Sequence, residues 1–492
     1  MISAISASFF GQLISAIQPL LLVPLFLRAW GGEGYGEWCI LFAIVSYFSL
    51  LDFGSQNYIG NVLTENLIQK HKHNFQSNLS NAVSLFIIIS GICFAFFIAI
   101  IYITTTFFSD LLPIKNQIEN EQWILIFLGG SMLLSIPAGI YSTVYRAFNM
   151  VARVTIISNI LRFFQLFIMA GALYMEYSPL AYAALYFLFS IIGVVVNIVD
   201  LRATFGDCVY LKFSLQNAKN GLKFFRGASY FWFLSLIGNI NQQAPVIFMG
   251  LFASPLGVSL YVTHKAISNS LNYVGAIFHA PLWPEFTKLL TNGEKKKVFR
   301  LTLFCIRTVF YLTGIMALFI WFIVPNFYSF WTANKLTLDT QLLFILLFQG
   351  VLMSFWGTSS WSFMAGSRQY RLIQLGILNI IVTFVLSMLL SKEYGGILGW
   401  VLASLICDVV ILFYFIPAIF SKAMGCNVID LFKQLIKTLL PLFFYFLFLY
   451  CIHLNYWSMS QVFNIILMLL ISMIFVFYYI NKKILPMIKY FK

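Results

Sequence analysis

Charge is the scarcest property of this sequence. Only 9% of its 492 residues are Asp, Glu, Lys or Arg, against about a quarter in soluble domains. Too few charges are present to clothe a soluble exterior of this size. A cytosolic enzyme, a secreted disulfide scaffold and a disordered chain are therefore excluded. Acids are scarcer still, 16 against 30 bases, and there are only five histidines. Those histidines (71, 73, 264, 279, 453) have no zinc-type spacing with acids or cysteines. The seven cysteines include no C-x-x-C and mostly sit in apolar runs, where they read as small hydrophobes. No catalytic constellation is found, so the expectation is a non-enzyme without metal or cofactor.

What is abundant is hydrophobicity. Apolar residues reach 61% and mean hydropathy is +0.89. A helix needs about 20 apolar residues to cross the hydrocarbon core. The long continuous runs favour helices over alternating barrel strands. Fourteen spans are predicted: 5–27, 36–58, 80–106, 122–148, 155–175, 179–200, 228–252, 257–283, 302–325, 341–365, 370–391, 395–420, 437–454 and 461–481. The first run, Ile5 to Leu27, is longer than a signal h-region and lacks a basic segment before it, so it reads as a span.

The net charge of +14 invites a nucleic-acid reading. Its distribution argues against one. With the N-terminus inside and spans alternating, inner loops hold 24 of the 30 basic residues and outer loops four. The remaining two, Arg162 and Lys265, fall within spans. This is the positive-inside bias of a polytopic membrane protein with both termini cytoplasmic.

The longest cytoplasmic loop, about 201–227, places Leu215, Ala218, Leu222 and Phe225 at helical spacing, with Lys219, Lys223 and Arg226 on another face. It reads as an amphipathic linker on the inner leaflet. It separates six spans (1–200) from six more (228–420), leaving 421–492 for spans 13 and 14. A shift of 221 residues superposes Pro24 on Pro245, Gly36 on Gly257 and Gly54 on Gly275, as a parallel repeat would.

Polar residues at membrane depth mark function, because burying charge in lipid is costly. Lys265, beside His264, lies well inside span 8, and Arg162 lies inside span 5. Arg28 closes the outer end of span 1, and Arg146 sits near the inner end of span 4. Span 7 carries four carboxamides, Asn239, Asn241, Gln242 and Gln243, just before Pro245. Such amides bond neighbouring helices or sugar hydroxyls. Two acids, Asp52 and Asp408, are ion-coupling candidates; the alternative for Asp52 is to anchor a helix end, and for Asp408 to pair with a Lys or Arg. Cations and amides without paired carboxylates suit an anionic, polar substrate. The sequence Gly31-Gly32-Glu33-Gly34-Tyr35-Gly36 has phosphate-loop composition, but it lies between two spans rather than after a strand, and reads as an outer turn.

The stretch Val23–Asn61 carries a resemblance. Pro24 late in span 1, the Gly34-Tyr35-Gly36-x-Trp38 turn and Leu51-Asp52-x-Gly54 late in span 2 resemble the amino-terminal signature of bacterial polysaccharide-biosynthesis membrane proteins. These are the Wzx-like O-antigen and polysaccharide flippases of the multidrug/oligosaccharidyl-lipid/polysaccharide (MOP) superfamily. The resemblance implies an all-α, V-shaped transporter of two six-helix lobes plus two helices in the bacterial inner membrane. It implies an undecaprenyl-diphosphate-linked oligosaccharide as cargo, moved from inner to outer leaflet by alternating access. A polysaccharide polymerase and a chain-length regulator would be the natural partners. Lys265 stands where related flippases carry a basic residue, facing pyrophosphate. Span 1 departs from the lipid II branch, offering Gln12 and Gln18 where that branch has arginine, which argues against lipid II as cargo. Two other readings stay open: a MATE-like drug or cation exporter, which predicts more cavity carboxylates, and a membrane polysaccharide polymerase, which needs a larger outer loop.

Overall fold

A computed structural model describes residues 2–52, 54–69, 71–107, 119–206, 212–365 and 369–411, with isolated positions beyond. Expected spans 13 and 14 lie outside the described residues. Within them the chain is entirely helical, with thirteen α-helices. These are α1 (Ile2–Ser46), α2 (Ser55–Ile68), α3 (Lys72–Phe107), α4 (Glu121–Ala147), α5 (Val151–Tyr174), α6 (Pro179–Phe205) and α7 (Leu215–Gly221). They continue with α8 (Phe224–Phe252), α9 (Pro255–Thr291), α10 (Lys295–Trp331), α11 (Thr340–Ala365), α12 (Gln369–Tyr394) and α13 (Gly396–Val410).

Seven stretches are long and apolar enough to cross a membrane: Phe9–Asp52, His73–Thr104, Glu121–Ala147, Val151–Tyr174, Pro179–Phe205, Lys295–Trp331 and Ile373–Tyr394. The chain is thus a multi-pass membrane protein, and the count of fourteen is not reached among the described residues. The first stretch spans 44 residues, about 66 Å as helix and twice the hydrocarbon thickness. It divides at Gly31, whose φ of 74° and ψ of −177° lie outside helical space. Only glycine adopts such a pair without strain. Helices α8 and α9 stand where spans 7 and 8 were predicted. Their apolar character is diluted by the amide run in one and by His264, Lys265, Asn269 and Asn272 in the other.

The expected span 36–58 is not one helix. Residues Tyr47–Asp52 form a 3₁₀ turn, and Gly54 follows with a left-handed φ of 65°. Asp52 Oδ1 accepts the Gly54 N–H at 2.8 Å, an Asx-type turn that ends one helix and starts α2.

By packing, the chain clusters into two compact units, Met1–Thr263 with Tyr370–Trp400, and His264–Gln369 with Val401–Lys492. In the first unit, α4 packs on α2, α3 and α6 around Phe86, Ile140 and Tyr145. At the Gly31 kink the aromatic side chains fold together. Tyr35 stacks on Phe26 at 5.2 Å, and Trp38 meets Trp30 at 5.2 Å and Tyr182 at 5.1 Å. Short α7 begins with Ser214 Oγ accepting the Asn217 N–H. It packs on α3 with Ala218 and Gly221 buried, while Leu215 and Leu222 stay exposed. In the second unit α10 packs along α11.

Candidate functional site

The polar residues singled out in the sequence divide between the two units.

In the second unit, α9, α11 and α13 carry a buried polar group. Gln349 Nε2 donates to Asp408 Oδ2 at 2.6 Å and to Ser404 Oγ at 3.2 Å. Asp408 is 5% exposed. Lys265 is half-buried on α9, within electrostatic reach of the Asp408 carboxylate. Their attraction is stronger than between two fully exposed charges, because the carboxylate is buried. The neighbouring residue behaves differently. His264 is fully buried. Its Nε2 accepts the Asp339 backbone N–H at 3.2 Å, and its Nδ1 stands 3.4 Å from the Tyr328 hydroxyl. Accepting at Nε2 places the proton on Nδ1, which then donates to Tyr328. Asp339 also caps the next helix, its Oδ1 accepting the Leu342 N–H at 3.0 Å. His264 therefore ties α9 to α10 and to the start of α11. Consecutive helical residues point about 100° apart, so Lys265 and His264 face different surroundings.

In the first unit, the amides of α8 brace the break in span 2. Asn239 Nδ2 donates to Ser49 Oγ at 2.8 Å, and Trp232 Nε1 donates to the Leu50 carbonyl at 3.0 Å. Irregular backbone inside a membrane needs such partners, having no water to bond. Asn241 and Gln242 are exposed and Gln243 is half-buried. Arg28 lies over the Tyr174 ring at 5.6 Å, a cation–π contact. Exposed Arg162 donates to Ser15 Oγ at 3.0 Å, joining α5 to α1.

Arg146 lines an open surface depression in this unit. It measures ≈ 430 Å³ and is lined by Asn61, Thr64, Glu65, Ile68 and Gln69 from α2 and by Arg146 from α4. The guanidinium lies across Gly60, where an added Cβ would fall 2.6 Å from Cζ and 2.8 Å from Nε.

Sequence reasoning missed a clasp at the ends of α4, α5 and α6. Arg153 grips Asp200 with two bonds, Nη2 to Oδ1 at 2.6 Å and Nε to Oδ2 at 3.0 Å. Tyr145 donates to the same Oδ2 at 2.6 Å. The available signal was an acid late in span 6 opposite a base opening span 5, at the same membrane face.

No family model matches the sequence, and no curated protein matches it. Solved structures do. The lipid II flippase MurJ, in an inward closed conformation, covers 98% of this chain and 100% of its own, with TM-score 0.71 and 14% identity. An inward-facing MATE-family multidrug resistance transporter of the MOP superfamily covers 85% and 95%, with TM-score 0.64 and 13% identity. A MOP superfamily transporter from Pyrococcus furiosus, described as having reversed binding-pocket polarity, covers 87% and 96%, with TM-score 0.52 and 12% identity. The likeness is one of fold, at 12–14% identity. A lipid II flippase and a multidrug resistance transporter both have this fold, so the fold by itself selects neither activity.

Proposed function

We propose that this protein is a flippase that moves an undecaprenyl-diphosphate-linked oligosaccharide, an O-antigen or capsule repeat unit, across the bacterial inner membrane. The headgroup crosses by alternating access between lobes 1–200 and 228–420, joined by 201–227, while the lipid tail stays in the bilayer. The observation that carries this is the extent of the likeness. The flippase structure is matched over its whole length and leaves 2% of this chain over. The other two transporter structures leave 13–15%, about 64–74 of 492 residues, which is the length of 421–492, read as spans 13 and 14. The Val23–Asn61 signature and the cations Lys265, Arg162, Arg28 and Arg146 support the same reading. Lys265 takes the diphosphate in exchange for part of its attraction to Asp408. Inside-negative potential favours outward movement of a diphosphate by about 2.3 kcal/mol per charge per 100 mV.

The test is complementation of a flippase-null strain with wild type, Lys265→Ala and Lys265→Arg, reading surface polysaccharide and membrane protein level together. Loss of export with alanine at normal protein level, restored by arginine, is the expected result. Normal export with alanine removes Lys265 from the site. Failure of every form to complement, with no lipid-linked oligosaccharide accumulating in a knockout of the native host, overturns the flippase reading.

Buried Asp408 favours a second reading, a MATE-like cation exporter, since a carboxylate at membrane depth suits cationic cargo. Lowered resistance to cationic drugs in the knockout, with unchanged surface polysaccharide, would select it.

A further inference from the structure

Helix α7 presents two different faces. The sequence sets Leu215, Ala218, Leu222 and Phe225 at helical spacing, as one apolar face. The structure divides that face. Ala218 and Gly221 are buried, and the helix packs on α3. A Cβ on Gly221 would fall 2.7 Å from the Asn81 carbonyl oxygen and 3.0 Å from Leu85 Cβ, so α7 lies directly on the α3 surface. Leu215 and Leu222 are left 76% and 52% exposed, and Phe213, just before the helix, is 61% exposed.

Hydrogen bonds clamp α7 to α3 at both ends. Before it, the Lys212 N–H donates to Ser80 Oγ at 3.2 Å, and Ser84 Oγ donates to the Lys212 carbonyl at 3.3 Å. After it, Lys223 Nζ donates to Asn78 Oδ1 at 3.0 Å. These α3 partners lie about 8–17 Å along the helix from His73, where its apolar stretch begins. That segment is still polar, and the continuous apolar run starts at Leu85. Helix α7 therefore lies at the boundary between headgroups and acyl chains.

The charge here is one-sided. Residues 201–227 hold five bases, Arg202, Lys212, Lys219, Lys223 and Arg226, against a single acid, Asp207. Successive helical residues turn about 100°, which sets Lys219 about 40° round α7 from Leu215 and about 60° from Leu222. The Lys219 side chain is exposed and has no hydrogen bond or ion pair among the described residues. A lysine beside exposed leucines can lay its stem along apolar surface while its ammonium reaches a phosphate.

We propose that the α3-distal face of α7 docks on the anionic phospholipids of the leaflet beside it. Phe213, Leu215 and Leu222 enter the acyl boundary, as the apolar face of an interfacial helix does, and Lys219 meets the headgroup phosphates. The positive-inside bias makes this the inner leaflet. Because α7 is clamped to α3, the docked face ties the linker and α3 to one leaflet. Depth and charge together favour lipid over a cytosolic protein as the occupant.

Hydrogen exchange on the full-length protein tests this, with one copy per nanodisc, in discs of phosphatidylcholine alone or mixed with phosphatidylglycerol. Wild type is expected to exchange more slowly across 213–222 in the phosphatidylglycerol discs. Lys219→Gln, which leaves the α3 contacts in place, should lose about fivefold of that protection, and Lys219→Arg should keep it. Leu215→Ser should speed exchange in both discs. Equal exchange of wild type in the two discs overturns the proposal, as does anionic-lipid protection that survives Lys219→Gln. Protection that appears only with two copies in a disc would assign the face to a second copy of this chain, and exchange as fast in discs as in detergent micelles would leave it to a cytosolic protein; either result overturns lipid docking. None of these readouts involves polysaccharide export, so they stand or fall apart from the Lys265 variants.

Discussion

Replacing Gly36 by alanine sets a backbone collision against a gain in helix propensity. Gly36 lies in α1 beyond the kink, against the first residue of α9. A Cβ there would fall 2.5 Å from the Pro255 carbonyl carbon and 3.0 Å from its Cα. The obstacle is main chain, so no rotamer change relieves it. The same contact is fixed by the Ser259 hydroxyl, which donates to the Gly32 carbonyl. Overpacking of this kind costs about 3 kcal/mol, and alanine returns about 1 kcal/mol of helix propensity. The net loss is about 2 kcal/mol, or about thirtyfold in the opening equilibrium of the α1–α9 contact. Two controls bracket it. A Cβ at Gly34 meets only Trp30 Cβ, at 3.1 Å, and one at Gly91 meets nothing within 4 Å. Gly34→Ala should be nearly neutral, and Gly91→Ala should gain up to about 1 kcal/mol. Hydrogen exchange in micelles reads the result at Gly257 and Val258, whose amides bond Ser254 Oγ and O. Unchanged protection in Gly36→Ala would refute the packing argument.

Two other contacts make sharp predictions. Trp232→Phe removes the donor to the buried Leu50 carbonyl and should raise exchange across 47–54 about tenfold, the equivalent of about 1.4 kcal/mol; no change there would mean α8 does not brace the break. His264→Leu strips partners from the Asp339 N–H and the Tyr328 hydroxyl, which should cost about 2–4 kcal/mol and lower the thermal midpoint. His264→Gln, which keeps one acceptor, should recover about half, and equal loss in both variants would refute the hydrogen-bond account.

Helix existence was legible because twenty-residue apolar runs leave one way to satisfy the backbone. The predicted spans 122–148, 179–200, 228–252 and 341–365 begin within a few residues of α4, α6, α8 and α11. Two features escaped. Span 2 was read as continuous, although Asp52-x-Gly54 is a turn signal in its own right; the apolar residues around it masked the break. His264 was grouped with Lys265 by adjacency, whereas helical geometry turns neighbours apart and buries only one of the two in hydrogen bonds. The amides of α8 suit either neighbouring helices or sugar hydroxyls, and Asn239 takes the first course with Ser49. Long-range partners of this kind carry no mark in a linear sequence. The aromatic residues of the Gly-Tyr-Gly-x-Trp turn explain themselves only in space, where Tyr35 and Trp38 fold back onto Phe26 and Trp30.

The seat of Arg146 on Gly60 has a hereditary consequence. The guanidinium occupies the volume that any side chain at position 60 would claim, so the two positions are not free to drift separately. A lineage that fills position 60 displaces the cation from α2, and one that shortens position 146 removes the reason for a glycine. Descendants of this protein should carry the glycine and the arginine as a linked pair, lost in the same branches and kept in the same branches, although 86 positions part them along the chain.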